Sequence, residues 1–252
     1  MNRSFPALAA PLHTTAVTFQ KSEESVKFDC LALFGLARFL AGGILWLAVL
    51  AAGWASEHAP GVVPKPCWTP LFDGKTLGDW KSCNFGGEGA VTVADRQMLL
   101  DFGDSLTGIV YTKPFPKRDF EIRLQAMRVD GNDFFCGLTF PVAESHCSFI
   151  VGGWAGAVVG LSCIDGRDAS ENDTTQYIKF DEGRWYRIRV RVTADRIQCW
   201  IDDQRVVAQN IRGHRITTRA EVDPSRPLGI AAWQTKAALR GIEFRHLKEG
   251  ER

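Results

Sequence analysis

The chain is 252 residues long and 45% hydrophobic, which leaves room for one large β domain or two small domains. Its formal net charge is +1. Residues 1–55 hold four basic and three acidic side chains, so residues 56–252 carry 26 charges of each sign and are neutral overall. A neutral domain lacks the electrostatic footprint that nucleic-acid binding requires, and we therefore expect no nucleic-acid partner.

The N-terminal part of the chain contains an uncharged apolar stretch, Phe39–Trp54, preceded by Arg38. This stretch is shorter than the ~20 residues that span a bilayer and is typical of the hydrophobic region of a signal peptide. Small residues at Gly53–Ala55 offer a cleavage site. If the apolar run instead extends back to Leu31, we expect it to be retained as a membrane anchor. Both alternatives predict a leader over residues 1–55 and an exported protein, periplasmic or extracellular.

A Pro-rich linker over residues 56–66 leads into a domain over residues 67–248 in which strand patterns dominate. Apolar and polar residues alternate over Phe120–Ala126 and over Tyr186–Thr193, as in half-buried strands. The other predicted strands are Val91–Val93, Met98–Phe102, Gly108–Tyr111, Phe134–Phe140, Ser148–Gly152, Ala157–Cys163, Arg196–Ile201, Val206–Ala208, Leu228–Trp233 and Ile242–His246. About a dozen short strands without helices between them predict an all-β fold, a two-sheet antiparallel β-sandwich.

The strand over Tyr186–Thr193 carries a row of arginines at alternate positions, Arg187, Arg189 and Arg191. Such a row resembles a basic binding patch. Strict alternation with apolar residues nevertheless predicts that the row is the solvated face of a strand whose other face is buried.

Beyond the leader the chain has six cysteines: Cys67, Cys83, Cys136, Cys147, Cys163 and Cys199. An even number in an exported domain permits up to three disulfides, with fifteen possible connectivities. The alternative is buried free thiols, because Cys136 and Cys199 fall within apolar strand patterns. The spacings contain no pair of ligands typical of a structural zinc site.

The predicted domain opens with the segment Trp68–Trp80, W-T-P-L-F-D-G-K-T-L-G-D-W. It predicts a short strand at Leu71–Phe72, a tight turn at Asp73-Gly74 and a second apolar anchor at Trp80. As a whole string it resembles the start of the 3-keto-disaccharide hydrolase domain family, and D-F-E-I-R-L at Asp119–Leu124 resembles a later segment. The resemblance implies a concanavalin A-like, laminin G-like jelly roll that is common in exported bacterial proteins.

The resemblance also implies chemistry on a ketosugar. A ketone at C3 acidifies the hydrogen at C2, so one general base removes that hydrogen, the glycosidic oxygen leaves by elimination, and water then adds back. Asp133, in the acidic segment Asp130–Asp133, is the expected base. Glu171, in the loop 165–173, is the expected second catalytic residue. The alternative for Asp130–Asp133 is a plain turn, since Asp and Asn beside glycine are common turn residues.

Sugar contacts are expected from both acidic segments and from two tryptophans. Asn132, Asp165 and Asp168 are the polar candidates for substrate binding. Trp154 lies in a glycine-rich hairpin and Trp233 ends an apolar strand, and the C–H faces of pyranoses stack on indole rings. For Trp233 the competing interpretation is packing in the core.

The loop 165–173 holds four acidic residues within nine positions. Clustered oxygen ligands suit calcium, so Asp165, Asp168 and Asp173 form a candidate calcium site. The loop lacks the strict alternating spacing of calcium loops, and a solvated loop is the alternative. No other cofactor is expected.

Two functions remain open at this stage. The first is an exported hydrolase of 3-keto-glycosides or disaccharides. The second is a non-catalytic jelly-roll module that binds glycan or another surface partner. A conventional pair of glycosidase carboxylates is not supported, because the strand segment Glu121–Gln125 lacks the second acid that such a strand carries.

Overall fold

The computed structural model describes residues 67–251. The leader predicted over residues 1–55, with its signal or anchor segment, and the linker predicted over residues 56–66 lie outside the described residues. Within residues 67–251, no helix is long and apolar enough to cross a bilayer.

The described chain is built almost entirely of strands, as the alternating patterns predict. Between residues 67 and 251 it forms fifteen strands and one short 3-10 helix, which covers Ala220–Ser225. In chain order the strands are Thr69–Pro70 (β1), Trp80–Ser82 (β2), Val91–Ala94 (β3), Gln97–Leu100 (β4), Leu106–Tyr111 (β5), Phe120–Gly131 (β6), Cys136–Val142 (β7), Ser145–Gly153 (β8), Val158–Ser162 (β9), Gln176–Tyr177 (β10), Trp185–Val192 (β11), Arg196–Ile201 (β12), Gln204–Asn210 (β13), Gly229–Trp233 (β14) and Thr235–His246 (β15).

The strands pair into two antiparallel sheets, which confirms the predicted sandwich. The first sheet has the order β13-β12-β11-β6-β15-β4-β3, and β1 also pairs with β15. The second has the order β10-β9-β8-β7-β14-β5-β2. The chain passes from one sheet to the other eight times, and two of these crossings follow β6 and β14. These two crossings touch, since the Trp233 N–H donates to the Phe134 carbonyl at 3.0 Å.

The core lies between the two sheets and is filled by the inward-facing residues of each strand. On β6, Ile122 and Leu124 are at most 2% exposed, and Leu124 lies opposite Ile188 of β11. Leu138 of β7 and Phe149 of β8 belong to the same buried cluster from the second sheet. Burying a side chain of this size contributes roughly 1.5–3 kcal/mol. The period-two pattern therefore fixes which face of each strand is left for other uses.

The arginines of β11 project from the outer face of the first sheet, as predicted, but they are held by partners. Glu121, whose side chain is 1% exposed, accepts hydrogen bonds from Arg189 at 3.0 Å and Arg191 at 2.8 Å. Arg245 Nε donates to the same carboxylate at 2.7 Å, and its Nη2 forms an ion pair with it at 2.6 Å. Arg189 also stacks 3.8 Å from the ring centroid of Trp200. This face is a cross-linked layer of charges, and Glu121 is occupied by it.

The domain begins with the predicted turn, although its first strand lies two residues earlier than Leu71–Phe72. Leu71 is instead buried, and its carbonyl accepts a hydrogen bond from the Trp80 indole N–H at 2.8 Å. Asp73 accepts the backbone N–H groups of Lys75 and Thr76 at 2.7 and 3.0 Å, and these bonds lower the pKa of its carboxyl. The opening segment is therefore a structural anchor.

The six cysteines of the described chain are free thiols, so the structure favours the second of the two alternatives for them. Cys67 is exposed and the other five are buried. Burial raises the pKa of Cys83 to about 11 and that of Cys136 to about 12. Buried thiols with such pKa values are protonated at neutral pH and are poor nucleophiles.

Candidate functional site

A cavity of about 210 Å³ lies on the outer face of the second sheet. Its floor consists of Ser148, Ile150 and Ser162 on β8 and β9, which alternate with core residues such as Phe149 and Leu161. Neighbouring connections and the ends of β5 and β14 supply its walls. The complete lining is Leu106, Asp133, Phe134, Ser148, Ile150, Trp154, Ser162, Arg219, Glu221, Val222 and Trp233.

One wall of the cavity is apolar. Trp233, at the end of β14, is half-buried and packs with Phe134, Leu106 and Val222 in a small cluster separate from the main core. Trp233 thus packs in this cluster and also lines the cavity, and its contact with a sugar stays a prediction. Val222 comes from the 3-10 helix, which contacts β5 and β14.

Two of the three floor residues, Ser148 and Ser162, are polar. The Thr139 and Ser148 hydroxyls share a hydrogen bond of 2.8 Å, and Ser162 lies opposite Ser148 on the neighbouring strand. All three side chains are at most 2% exposed. A hydroxyl has one donor and two acceptor positions, so Ser148 and Ser162, which line the cavity, retain hydrogen-bonding capacity.

Asp133 lies in the connection between β6 and β7. The connection is shorter than predicted: β6 continues to Gly131, past its predicted end at Ala126, and β7 begins at Cys136 instead of Phe134, which leaves residues 132–135. Asp133 Oδ1 accepts the Phe134 N–H at 2.7 Å, and Oδ2 accepts the Ala155 N–H at 3.3 Å. Its own N–H donates to Thr235 Oγ1 at 3.1 Å. The carboxylate is therefore oriented by backbone groups from two connections while it lines the cavity.

Trp154 lies at the tip of the hairpin between β8 and β9. It is 40% exposed, one of few large apolar residues so exposed in the described chain. The hairpin is closed by a hydrogen bond of 3.2 Å from the Gly156 N–H to the Gly153 carbonyl. The Trp154 side chain lines the cavity and remains reachable from solvent.

Arg219 supplies the positive charge of the cavity. Its Nη1 donates to Asp168 Oδ2 at 2.9 Å and its Nη2 to Glu221 Oε1 at 2.8 Å. The hydrogen bond to Glu221 raises the pKa of Arg219 and lowers that of Glu221. Asp168, predicted as a substrate-binding residue, lies behind Arg219 and holds it in place. The Asp133 and Glu221 carboxylates and the Arg219 guanidinium thus line one cavity, and the Asp168 carboxylate supports the guanidinium.

Three of the other predicted site residues lie away from the cavity lining. Asn132 is exposed beside Asp133. Asp165 Oδ2 hydrogen-bonds to His214 Nδ1 at 2.7 Å, which lowers the pKa of Asp165. Glu171 is exposed on the loop that follows β9 and is not among the lining residues.

The loop 165–173 is organised around Asn172, whose side-chain N–H groups donate to the carbonyls of Leu161, Arg167 and Asp168. Asp173 is exposed. Within residues 67–251 no three His, Cys, Asp or Glu side chains converge closely enough to hold a metal ion. The carboxylates of the loop thus point to different partners, and the calcium site stays a prediction.

Sequence reasoning missed four polar members of the cavity, namely Arg219, Glu221, Ser148 and Ser162. The two serines carried a usable signal, because they occupy outward positions in strands whose inward positions are apolar. Arg219 and Glu221 carried none, since they belong to an irregular connection between β13 and β14 that has no periodic pattern.

No curated protein matches the chain. Among solved structures it is similar to the carbohydrate binding module CBM66 from Bacillus subtilis, with 15% identity, a TM-score of 0.47, and coverage of 66% of this chain and 95% of that chain. It is also similar to the Crh5 transglycosylase, with 11% identity, a TM-score of 0.48, and coverage of 73% and 84%. Likenesses this distant say nothing about function.

The match of the sequence to a protein family is more informative than these structural likenesses. The sequence profile of the 3-keto-alpha-glucoside-1,2-lyase-like domain matches residues 67–248, which is more than half of the chain and almost all of the described sandwich. The match has the same boundaries as the domain predicted from the opening segment Trp68–Trp80. The chain therefore belongs to the 3-keto-alpha-glucoside-1,2-lyase-like domain family.

Proposed function

We propose that this domain is an exported carbohydrate-active protein that cleaves 3-keto-glycosides in the cavity on the second sheet. The observation that carries the proposal is the joint presence of the Asp133 carboxylate, the Arg219 guanidinium and two indoles, Trp154 and Trp233, around one small cavity. Family membership supports the same substrate class.

The shape and polarity of the cavity suit one sugar ring. Its volume of about 210 Å³ is below the ~300–1,000 Å³ of sites for drug-sized ligands. Indole faces favour the C–H surface of a pyranose, while hydroxyls such as those of Ser148 and Ser162 match its polar edge. The remainder of a disaccharide would then extend past exposed Trp154 toward solvent.

Asp133 takes the role of general base in this proposal. The C3 ketone acidifies the C2–H bond; Asp133 accepts the C2 proton, and the electron pair forms an enolate with C3. When the enolate collapses, a double bond forms between C1 and C2, the C1–O bond breaks, and the departing oxygen takes up a proton. Addition of water at C1 with return of a proton to C2 completes hydrolysis. General-base catalysis of this kind contributes about 10²–10⁴-fold.

Arg219 takes the role of electrostatic stabiliser in this mechanism. Negative charge develops on the C3 oxygen during proton removal, and a fixed cation beside that oxygen lowers the barrier. Asp168 and Glu221 restrain the guanidinium at 2.9 and 2.8 Å, so it needs little reorganisation. The role predicted for Glu171 stays a prediction, and its exposed position favours Arg219 as the partner of Asp133.

Turnover of a 3-keto-α-glucoside by the purified protein tests the proposal. Wild type should release the aglycone, and Asp133→Asn should reduce kcat by about 10²–10⁴-fold. Asp130→Asn is the matched control, since Asp130 is exposed and its carboxylate accepts only the Gly131 N–H, at 2.7 Å. Equal activity in both variants would refute the assignment of Asp133. Fractionation of the source cells tests export.

A second candidate function is a glycan-binding module without turnover. The exposure of Trp154 at the mouth of the cavity favours it, because aromatic platforms that reach solvent are typical of sugar-binding surfaces. If wild type leaves 3-keto-glucosides intact but is retained on a glycan array, and Trp154→Ala abolishes retention, this second function replaces the first.

A further inference from the structure

We propose that Arg128 is a positioning residue that clamps together the two loops of the cavity, the β6–β7 connection with Asp133 and the β8–β9 hairpin with Trp154. The inference rests on the proposed function, because it assigns Arg128 to the same site. Arg128 is not among the residues that line the cavity, so it acts through the two loops and does not touch the substrate.

The position of Arg128 in the strand is unusual. It continues the inward-facing row of β6, where Leu124 and Ala126 precede it, and its side chain is only 7% exposed. Inward positions of a strand ordinarily take apolar residues, and a buried charge requires partners. The guanidinium carbon lies 5.3 Å from the ring centroid of Phe135, beneath the loops of the cavity.

The partners of Arg128 are backbone carbonyls from both loops. Its Nη2 donates to the carbonyls of Asp133 at 3.2 Å, Gly152 at 3.3 Å and Gly156 at 3.1 Å. Asp133 belongs to the β6–β7 connection, Gly152 to the end of β8 where the hairpin begins, and Gly156 to the turn of the hairpin. A single nitrogen therefore fixes the separation of the two loops that carry the proposed base and the proposed stacking residue.

The glycines of the hairpin are explained by the same contact. A Cβ on Gly152 would lie 2.7 Å from Arg128 Nη2, and one on Gly156 would lie 3.3 Å from the guanidinium and 3.0 Å from the Asn132 carbonyl. Both glycines have positive φ, +80° and +99°. Close approach of the guanidinium and the backbone conformation together require glycine at these two positions.

The tip of the hairpin is in a conformation that its residues disfavour. Trp154 and Ala155 have φ of +47° and +61°, in the left-handed region where residues with a Cβ are strained. Strain of this kind persists only where the surroundings enforce it. The enforcing contacts are those of Arg128 and the hydrogen bond from the Ala155 N–H to Asp133. Without the clamp we expect the hairpin to relax, which would displace both Trp154 and Asp133.

Amide hydrogen exchange on the full chain tests the clamp without any substrate. In Arg128→Lys the amides of residues 131–135 and 153–157 should exchange about 10-fold faster or more, while the rest of both sheets is unchanged. Arg240→Lys is the matched control, because Arg240 is an exposed arginine of the neighbouring strand β15 and contacts only Gln125 and Trp185, away from both loops. Unchanged exchange at the two loops, or an increase spread evenly over the domain, would overturn the proposal.

Kinetics supply the second readout. A displacement of the reacting groups by about 1 Å lowers rates by about 10²-fold, so kcat of Arg128→Lys on methyl 3-keto-α-glucoside should fall by that factor with a smaller change in KM. Wild-type kcat in Arg128→Lys would overturn the positioning role. If wild type shows no turnover, the proposed function fails, and hydrogen exchange alone decides the clamp.

A second variant covers the case in which Arg128→Lys does not fold. Gly156→Ala leaves Arg128 intact but presses a methyl group against the Asn132 carbonyl and the guanidinium. We expect the same local increase in exchange in the two loops. Wild-type exchange there would overturn the proposal, because the close contact would then not hold the loops.

Discussion

Replacing Glu121 by Gln should destabilise the domain strongly. Glu121 is buried on the outer face of the first sheet and accepts hydrogen bonds from Arg189, Arg191 and Arg245. The substitution keeps the size of the side chain but removes its charge and turns one of its oxygens into a donor. The NH₂ group of the new glutamine then faces N–H donors of the three arginines and cannot accept their hydrogen bonds.

The expected loss in the free energy of unfolding depends on how deeply each of the three arginines is buried. Arg245 is 5% exposed; its Nε donates to Glu121 at 2.7 Å and its Nη2 forms an ion pair with it at 2.6 Å, and a hydrogen bond to a charged group contributes about 1.5–3 kcal/mol. The side chains of Arg189 and Arg191 are 33% and 24% exposed, so water replaces part of the hydrogen bonding to Glu121 that they lose. Arg245 keeps Glu251 as a partner. Removing one side of a buried pair usually costs about 3–5 kcal/mol, and we expect that range here.

Urea unfolding followed by tryptophan fluorescence measures this loss directly. A loss of about 3–5 kcal/mol corresponds to a Tm lower by roughly 6–20 °C for a domain of this size. The matched control is Glu243→Gln, which breaks the more exposed pair with Arg123 and should cost less than about 1 kcal/mol. If the free energy of unfolding of Glu121→Gln lies within about 1 kcal/mol of the wild-type value, the buried network does not stabilise the sheet as described. The same holds if Glu121→Gln unfolds at no lower urea concentration than the control.

The remaining predictions concern thiols, protons and calcium. Among the six described cysteines only Cys67 should react with a thiol reagent in the native protein, and fast reaction at the others would contradict their burial. Burial and nearby Arg226 lower the pKa of His146, so the unfolded chain binds the proton more readily, and stability should fall as pH drops below about 6.5. His146→Gln should flatten this dependence; an unchanged slope would refute it. Because the Asp165 and Asp168 carboxylates are already hydrogen-bonded, calcium or chelator should leave Tm unchanged, whereas a rise with calcium would favour the predicted calcium site.

The fold could be predicted from the sequence because a half-buried strand carries apolar residues on its buried face and polar residues on its exposed face, at alternate positions. Phe120–Ala126 and Tyr186–Thr193 alternate cleanly, and the structure pairs them as neighbouring central strands. Strand ends were less predictable. The strand predicted at Ile242–His246 in fact begins at Thr235, because small residues such as Ala237 and Ala238 pack in its buried part without a strong pattern.

The candidate site was predictable only where chemistry and local pattern coincide. Asp133, Trp154 and Trp233 stand out by residue type, and all three line the same cavity. Arg219 could not be found, because its position depends on how an irregular connection folds over the second sheet. Arg128 did carry a signal, since the alternation of β6 predicts an inward side chain there and an inward arginine demands partners.

The most direct test of the account is proton exchange at C2 of the sugar. Methyl 3-keto-α-glucoside is incubated with the protein in D₂O, and deuterium at C2 of the recovered substrate and product is followed by NMR. Wild type and Asp130→Asn should introduce deuterium at C2, and Asp133→Asn should slow this by about 10²–10⁴-fold. Cleavage without deuterium at C2, or equal exchange in Asp133→Asn and wild type, would contradict Asp133 as the base in this cavity.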